Sequence, residues 1–302
     1  MQRFNIRLLI LLLLGFPFVA LAGDSVWFLY EEENEYHQKF IEESEGMLQE
    51  ALPDVKVRHA GLSNVTVLPQ SSTERTLLIT VGNTAAQRAA ESGIPTLNTL
   101  ITRRSFELLK GGYKGPVSAI YLEQPVARHL MLIRSALPGR DRLTVLLGSE
   151  SQQQRSDLEA ESHRLGLILR LITVSEDSAI DKLFGSELLA EDTLLLLPDP
   201  TVVNRHTVKP LVLGSYRQGV PLVGYSQALV KAGALMAVHS SLPALESELR
   251  SAAESFFKRG VLIAPRHADD FDVSVNYQLA RALNISLPAE NLIKKMLLGR
   301  LP

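Results

Sequence analysis

Short unbroken apolar runs alternate with amphipathic stretches along most of this chain, and that alternation is its strongest constraint. Residues 26–30 read VWFLY, 76–81 TLLITV and 143–147 LTVLL. A run of this kind, with no polar alternation, is the pattern of a strand covered on both faces. Between the runs, apolar residues recur at helical spacing. Phe40, Ile41, Met47, Leu48 and Ala51 do so within 34–52, and Pro53 stops the pattern. Strand then helix, repeated, implies parallel pairing through right-handed crossovers, with helices on both faces of a sheet. The expected fold class is α/β, doubly wound.

The series breaks once. Residues 111–116, GGYKGP, hold three glycines and a proline and read as a linker. Before it lie strands at 26–30, 55–57, 76–81 and 97–101, with helices at 34–52, 84–91 and 105–110. After it, strands are expected at 117–121, 143–147, 168–174, 193–197, 220–224, 234–238 and near 272–275. Helices are expected at 125–137, 151–165, 179–184, 203–218 and 245–259, with one reaching 283 and one starting at 289. The stretch 60–75 is rich in Ser, Thr and Pro and is expected to be a loop. Two series joined by one link predict two parallel-sheet lobes. The 302 residues agree, at roughly 150 per domain.

The first residues have a different logic. Arg3 and Arg7 precede the aliphatic run 8–14, and Ala20-Leu21-Ala22 follows. A charged start, a short apolar core and an A-x-A site form a secretory leader, cleaved after Ala22. A membrane anchor is the other reading, but the apolar stretch is shorter than the roughly 20 residues a span needs. Loss of Arg3 and Arg7 takes Lys+Arg from 31 to 29 against 33 acids. The expectation is an exported protein, free in the periplasm. No block of basic residues supports binding to nucleic acid. The chain has no cysteine, which removes disulfides, thiol catalysis and Cys-built metal sites.

Few motifs point to catalysis. Gly224-Tyr225-Ser226-Gln227-Ala228 falls one residue short of a G-x-S-x-G elbow. A triad would need Glu246, Glu248 or Glu254 followed by His267, and all three acids share one expected helix. The seven histidines include no i,i+4 pair, so no metal or other cofactor is expected. Asp269, Asp270 and Asp272 read as a solvated loop in preference to a cation site. In doubly wound sheets ligands sit outside the carboxyl ends of the strands. That rule selects the loops Tyr30-Glu31-Glu32, Gly82-Asn83-Thr84, Asn98 to Arg103, Tyr121 to Gln124, Gly148-Ser149, Pro198-Asp199-Pro200-Thr201 and Gly224-Tyr225-Ser226. At Gly82-Asn83-Thr84 a strand ends in Gly and opens a helix, with Asn83 able to cap it. Such a turn offers backbone N–H groups to a carboxylate.

With these residues in hand, the chain resembles the periplasmic substrate-binding proteins of the uncharacterised ABC-transporter type, which have the type I periplasmic binding protein fold. The resemblance is carried by 79–87 (ITVGNTAAQ), 119–125 (AIYLEQP) running into 129–138, 197–204 (LPDPTVVN), 220–234 (VPLVGYSQALVKAGA) and 273–281 (VSVNYQLAR). It implies three crossings between the lobes, near 115–117, 239–242 and 263–270. The first lobe would hold 23–115 with about 242–262, and the second 116–241 with about 264–302. It also implies a small, amino-acid-like ligand between the lobes. Asp199 would meet its amine, Gly82-Asn83-Thr84 its carboxylate, and Tyr225 or Tyr30 would stack on it. The expected ligand residues are therefore Tyr30, Asn83, Thr84, Asn98, Asp199, Tyr225 and Ser226. The function implied is that of a non-enzymatic, monomeric solute-binding component that delivers its guest to an inner-membrane ABC permease. The alternative is a degenerate binding protein serving as the sensory or accessory partner of a membrane receptor or kinase, its cleft filled by apolar side chains.

Overall fold

The computed structural model describes residues 23–63, 75–175, 183–184 and 190–299. The expected leader at 1–22, most of the expected loop at 60–75 and most of the expected helix at 179–184 lie outside the described residues.

Strand β1 (Ser25–Tyr30) leads to helix α1 (Glu35–Ala51). Asn34 fixes the helix start, its side chain accepting from the Tyr36 and His37 amides at 3.1 and 3.2 Å. A cap of this kind is worth about 1 kcal/mol. Then come β2 (Lys56–Gly61), β3 (Thr76–Val81), α2 (Asn83–Ala89), β4 (Thr96–Ile101), α3 (Arg103–Leu109) and β5 (Val117–Tyr121). The chain crosses to α4 (Val126–Ala136), β6 (Arg142–Leu147), α5 (Arg155–Leu165), β7 (Ile168–Thr173) and β8 (Asp192–Leu195). It continues through α6 (Val208–Arg217), β9 (Leu222–Gly224), α7 (Gln227–Ala232) and β10 (Met236–His239). It returns for α8 (Leu242–Arg259) and β11 (Arg266–His267), and crosses again to β12 (Asp272–Val275), α9 (Tyr277–Ala282) and α10 (Glu290–Leu298).

The strands form two separate six-stranded sheets, ordered β2-β1-β3-β4-β5-β11 and β7-β6-β8-β9-β10-β12. Every pairing is parallel except β10 with β12. The expected two doubly wound lobes are present. In the first lobe, Phe28 and Ile79 point to the face covered by α1 and α8, where Phe40, Leu48, Leu249 and Phe256 are buried. Leu29, Leu78 and Ile101 point to the other face, under α2 and α3. The second lobe divides likewise. Val145 and Leu195 face α4, α5 and α10, while Leu146 and Leu194 face α6 and α7. Alternation along each strand gives every sheet two apolar faces, which is why the strands read as unbroken apolar runs.

The lobe boundaries need correcting. The expected break at 115/116 falls inside the first lobe, because Val117 to Tyr121 pair with β4 from Thr96 to Ile101. The segment 111–116 is a largely exposed turn within the first lobe, joining α3 to β5. A Cβ at Gly115 would lie 2.4 Å from the Gly93 carbonyl oxygen, so glycine there serves close approach of two backbones. The first crossing is 122–125. The second is at 240–241, and α8 packs its Leu245, Leu249 and Phe256 into the first-lobe core with Phe28 and Phe40. The third begins only after His267, since β11 pairs with β5; residues 264–267 belong to the first lobe.

Candidate functional site

Polar contacts hold the three crossings together. Gln124 Nε2 donates to Ser240 Oγ at 2.6 Å, joining the first crossing to the second. Arg128, on α4 and 7% exposed, donates to the Gln124 side-chain oxygen and to the Ala268 and Asp269 carbonyls at 3.0 and 3.3 Å. That joins the first crossing to the third. The Arg128 guanidinium also stacks 4.4 Å from the centre of Phe271. His267 Nδ1 contacts the Glu123 carbonyl at 2.8 Å.

On one side of this knot the lobes enclose a cavity of about 610 Å³. From the first lobe it receives Tyr36, Lys39 and Glu43 of α1, and Thr102. Leu122, Glu123, Ser240 and Ser241 come from the crossings, and Pro198, Tyr225, Ser226 and Gln227 from the second lobe. Its walls are largely apolar with a few polar groups, the usual composition of a small-molecule site. On the opposite side lies a narrower groove of about 310 Å³ between α3 and α5. It is spanned by Arg103 and Asp157 at 3.5 Å and by Arg104 and Gln153 at 3.4 Å. Glu123 lines both hollows.

The electrostatics of the larger cavity lean acidic. Lys39 pairs with Glu43 at 3.8 Å. Glu246 stands against Glu43, and its carboxyl is pushed up to about 7 by burial, then by the hydrogen bond and charge of Glu43, with Lys39 opposing. Burial also raises Glu123; the Arg103 amide, donating to its Oε1 at 2.7 Å, offsets part of this. Its Oε2 is buried and has no hydrogen-bond partner. Burial raises the Tyr225 phenol, and the Asp199 charge adds to it.

The expected ligand residues divide sharply. Tyr225 and Ser226 line the cavity, although Ser226 Oγ also caps α7 by accepting from the Leu229 amide at 3.2 Å. Asp199 does not await an amine. It is 2% exposed. Its Oδ2 accepts from the Glu150 and Ser151 amides and the Ser151 hydroxyl at 3.0, 2.7 and 2.7 Å, and its Oδ1 from the Thr201 amide at 2.9 Å. The carboxylate is spent on folding two strand-end loops together, so that expectation is corrected. Asn98 is corrected for the same reason. It is fully buried, accepts from Thr80 and Tyr113 hydroxyls at 2.6 and 2.8 Å and donates to the Ser118 carbonyl at 3.1 Å.

Tyr30, Asn83 and Thr84 are not among the residues lining the cavity. Gly82, not Asn83, holds the cap position of α2, at φ +88°, a conformation that favours glycine. The His37 ring covers it so closely that a Cβ would lie 2.6 Å from Cε1. The residues sequence reasoning missed are those of α1. Tyr36, Lys39 and Glu43 recur at i, i+3 and i+7 beside the buried stripe of Phe40, Ile41, Ser44 and Leu48. That spacing puts them on one helix edge and could have marked a second, polar face turned toward something other than water.

Other motifs have structural explanations. Among the described residues no group of three or more His, Cys, Asp or Glu is arranged to hold a metal ion. Asp270 and Asp272 both pair with Lys294, at 2.8 and 3.2 Å. The acids of the hypothetical triad are engaged elsewhere. Glu248 pairs with Arg266, and Glu254 with Arg250 and Lys258.

No protein-family model matches the chain, and a search of curated proteins finds no match. Solved structures do match. The ligand-free, open form of a substrate-binding protein with adhesive properties from Clostridium difficile is 16% identical, with a TM-score of 0.65, over 88% of this chain and 96% of that one. An ABC domain from Streptococcus pneumoniae in complex with L-Trp is 17% identical, TM-score 0.61, over 90% and 98%. A conserved domain protein from Vibrio cholerae O1 biovar El Tor is 16% identical, TM-score 0.60, over 90% and 98%. The chain has the type I periplasmic binding protein fold.

Proposed function

We propose that this protein is the extracytoplasmic solute-binding component of an ABC-type transport system. It takes a small molecule between its lobes and presents it to a membrane permease. The observation that carries the reading is the 610 Å³ cavity, walled by α1 on one lobe and by the β9–α7 turn on the other. A guest touching both walls favours the closed arrangement by its differential contacts. The leader pattern at 1–22 supports a periplasmic location, and a chain acting as a monomer suffices for this role. The cavity is open and has polar groups on both walls, which favours ligand binding over the degenerate, apolar-filled alternative. Tyr225 and Ser226 remain proposed contacts. An amino-acid-like guest would find neither Asp199 nor Asn98 free, and its amine would have to meet α1 or Glu123.

The test is a thermal-shift screen of the exported protein against amino acids, amines, sugars and other small metabolites. Binding to the native state alone raises the melting temperature; a ligand at about 100 times its Kd adds about 2.7 kcal/mol. No shift with any compound overturns the reading.

A further inference from the structure

The inference drawn here rests on the solute-binding reading and narrows it. We propose that the interlobe cavity selects an organic cation, an ammonium group carried on an apolar body, and discriminates against the corresponding zwitterion.

Charge on the walls supports this. Of the carboxyl side chains that line the cavity beside a single ammonium, Glu43 is paired with Lys39, and Glu123 has one oxygen without a hydrogen-bond partner. Lys39 is the only Lys or Arg among the described residues lining it. It stands 3.8 Å from Glu43 with both side chains largely exposed, and an exposed pair of that length is weak. Glu246 leans on Glu43 from α8, and burial together with that neighbour raises its carboxyl to about 7. Two neighbouring carboxyl groups, Glu43 and Glu246, therefore stand beside one ammonium, and a second cation would favour the charged form of both. Glu123, which lines the cavity with Leu122 and Thr102, keeps Oε2 buried without a hydrogen bond. A buried carboxylate oxygen without a donor is costly, and a ligand ammonium would supply the missing one once lobe movement uncovers it.

The rest of the cavity suits such a guest. Tyr36 and Tyr225 stand on opposite lobes, and aromatic faces attract cations as well as apolar groups. Of the groups suited to a carboxylate, the cavity holds Lys39, already paired with Glu43 at 3.8 Å, and the N-terminal turn of α8 at Ser241 and Leu242; the turn expected to take a carboxylate lies outside it. The Gly82 turn is covered by His37, and Asn83 and Thr84 are outside the cavity. His239 is engaged through both ring nitrogens, with the Ser240 carbonyl at 3.2 Å and Ser274 Oγ at 2.9 Å.

The experiment is calorimetric titration of the full chain, expressed with its own N-terminal segment and purified without refolding. The probes are tyramine and phenethylamine, their zwitterionic counterparts tyrosine and phenylalanine, and the neutral phenethyl alcohol. The amines are expected to bind at least about tenfold tighter than either amino acid, and the alcohol not to bind. Glu43→Gln is expected to weaken amine binding by about tenfold, a step of about 1.4 kcal/mol, without lowering the ligand-free melting temperature, because it removes a charge that crowds Glu246. Glu123→Gln is expected to do the same if it folds. Phenylalanine or tyrosine binding as tightly as the amines, or Glu43→Gln leaving amine affinity unaltered, overturns the inference while the binding reading stands. Failure of the amines beside a hit among sugars or amino acids does likewise. If none of these probes and nothing in the wider screen binds, both readings fall.

Discussion

Gln124 and Ser240 belong to different crossings between the lobes, 116 residues apart in sequence, and are joined by a side-chain hydrogen bond of 2.6 Å. The bond sits in a chain of donors that begins at Arg128 and reaches the Ala268 and Asp269 carbonyls. Ser240→Ala leaves the buried Gln124 amide without its acceptor. The expected cost is about 1–3 kcal/mol, or a fall in Tm of several degrees at roughly 2–4 °C per kcal/mol. A double-mutant cycle with Gln124→Leu, read by urea denaturation, should show coupling. Simple additivity would mean that the bond contributes nothing.

Asp199 offers a clean separation of structural and ligand roles. Its four hydrogen bonds all come from neighbouring loops of the second lobe. Asp199→Ala strands three buried or part-buried amides and should cost several kcal/mol. Thermal unfolding should report the loss whether or not ligand is present. A variant that loses ligand affinity but keeps its wild-type Tm would reverse this assignment.

His129 links stability to pH. It is 1% exposed, and burial holds its imidazole down to about 3, opposed by the Gln124 carbonyl and aided by the nearby His267, Arg128 and His239. An unfolded chain binds this proton below about pH 6.5, while the folded one refuses it until near pH 3. The stability from keeping His129 neutral is therefore complete above about pH 6.5 and is lost as pH falls toward 3, by up to about 1.4 kcal/mol per pH unit. His267 and His37 are also held low by burial, so the informative quantity is a difference. His129→Leu should flatten the dependence of Tm on pH between about 6.5 and 4 relative to wild type. Parallel curves for the two proteins would sink the argument.

Gly115 tests the corrected lobe boundary. Gly115→Ala forces a methyl to within 2.4 Å of the Gly93 carbonyl, and overpacking of this kind costs about 1–3 kcal/mol. A flexible linker would tolerate the change. An unaltered Tm would restore the linker reading of 111–116.

How far the sequence could be read follows from what each signal depends on. Buried strands such as 76–81 were legible because every residue faces a covered side of the sheet, which leaves an apolar run no loop imitates. Helix α8 was legible for the same reason, with Leu245, Leu249, Ala252 and Phe256 at helical spacing. The boundary at 115 was not, because glycine marks both flexible links and close backbone contacts, and the difference lies with Gly93, 22 residues away. The cavity was half legible. The strand-end rule selected the loops that supply Thr102, Glu123, Tyr225 and Ser226, but its named contacts included Asn98 and Asp199, whose polar atoms are satisfied inside their own lobes. A polar residue at a strand end looks the same in sequence whether it meets a guest or a neighbouring loop. Tyr36, Lys39 and Glu43 escaped because a polar helix face ordinarily faces solvent.

Glu123 stands in the walls of two hollows that open on opposite faces of the molecule, one between Tyr36 and Tyr225 and the other between Arg103 and Asp157. On the proposed closure about the crossings, a tilt that brought the two tyrosines together would part the arginine from the aspartate. The 3.5 Å between Arg103 and Asp157 is then a gauge of lobe position on the side remote from the guest, and it should lengthen in any liganded form.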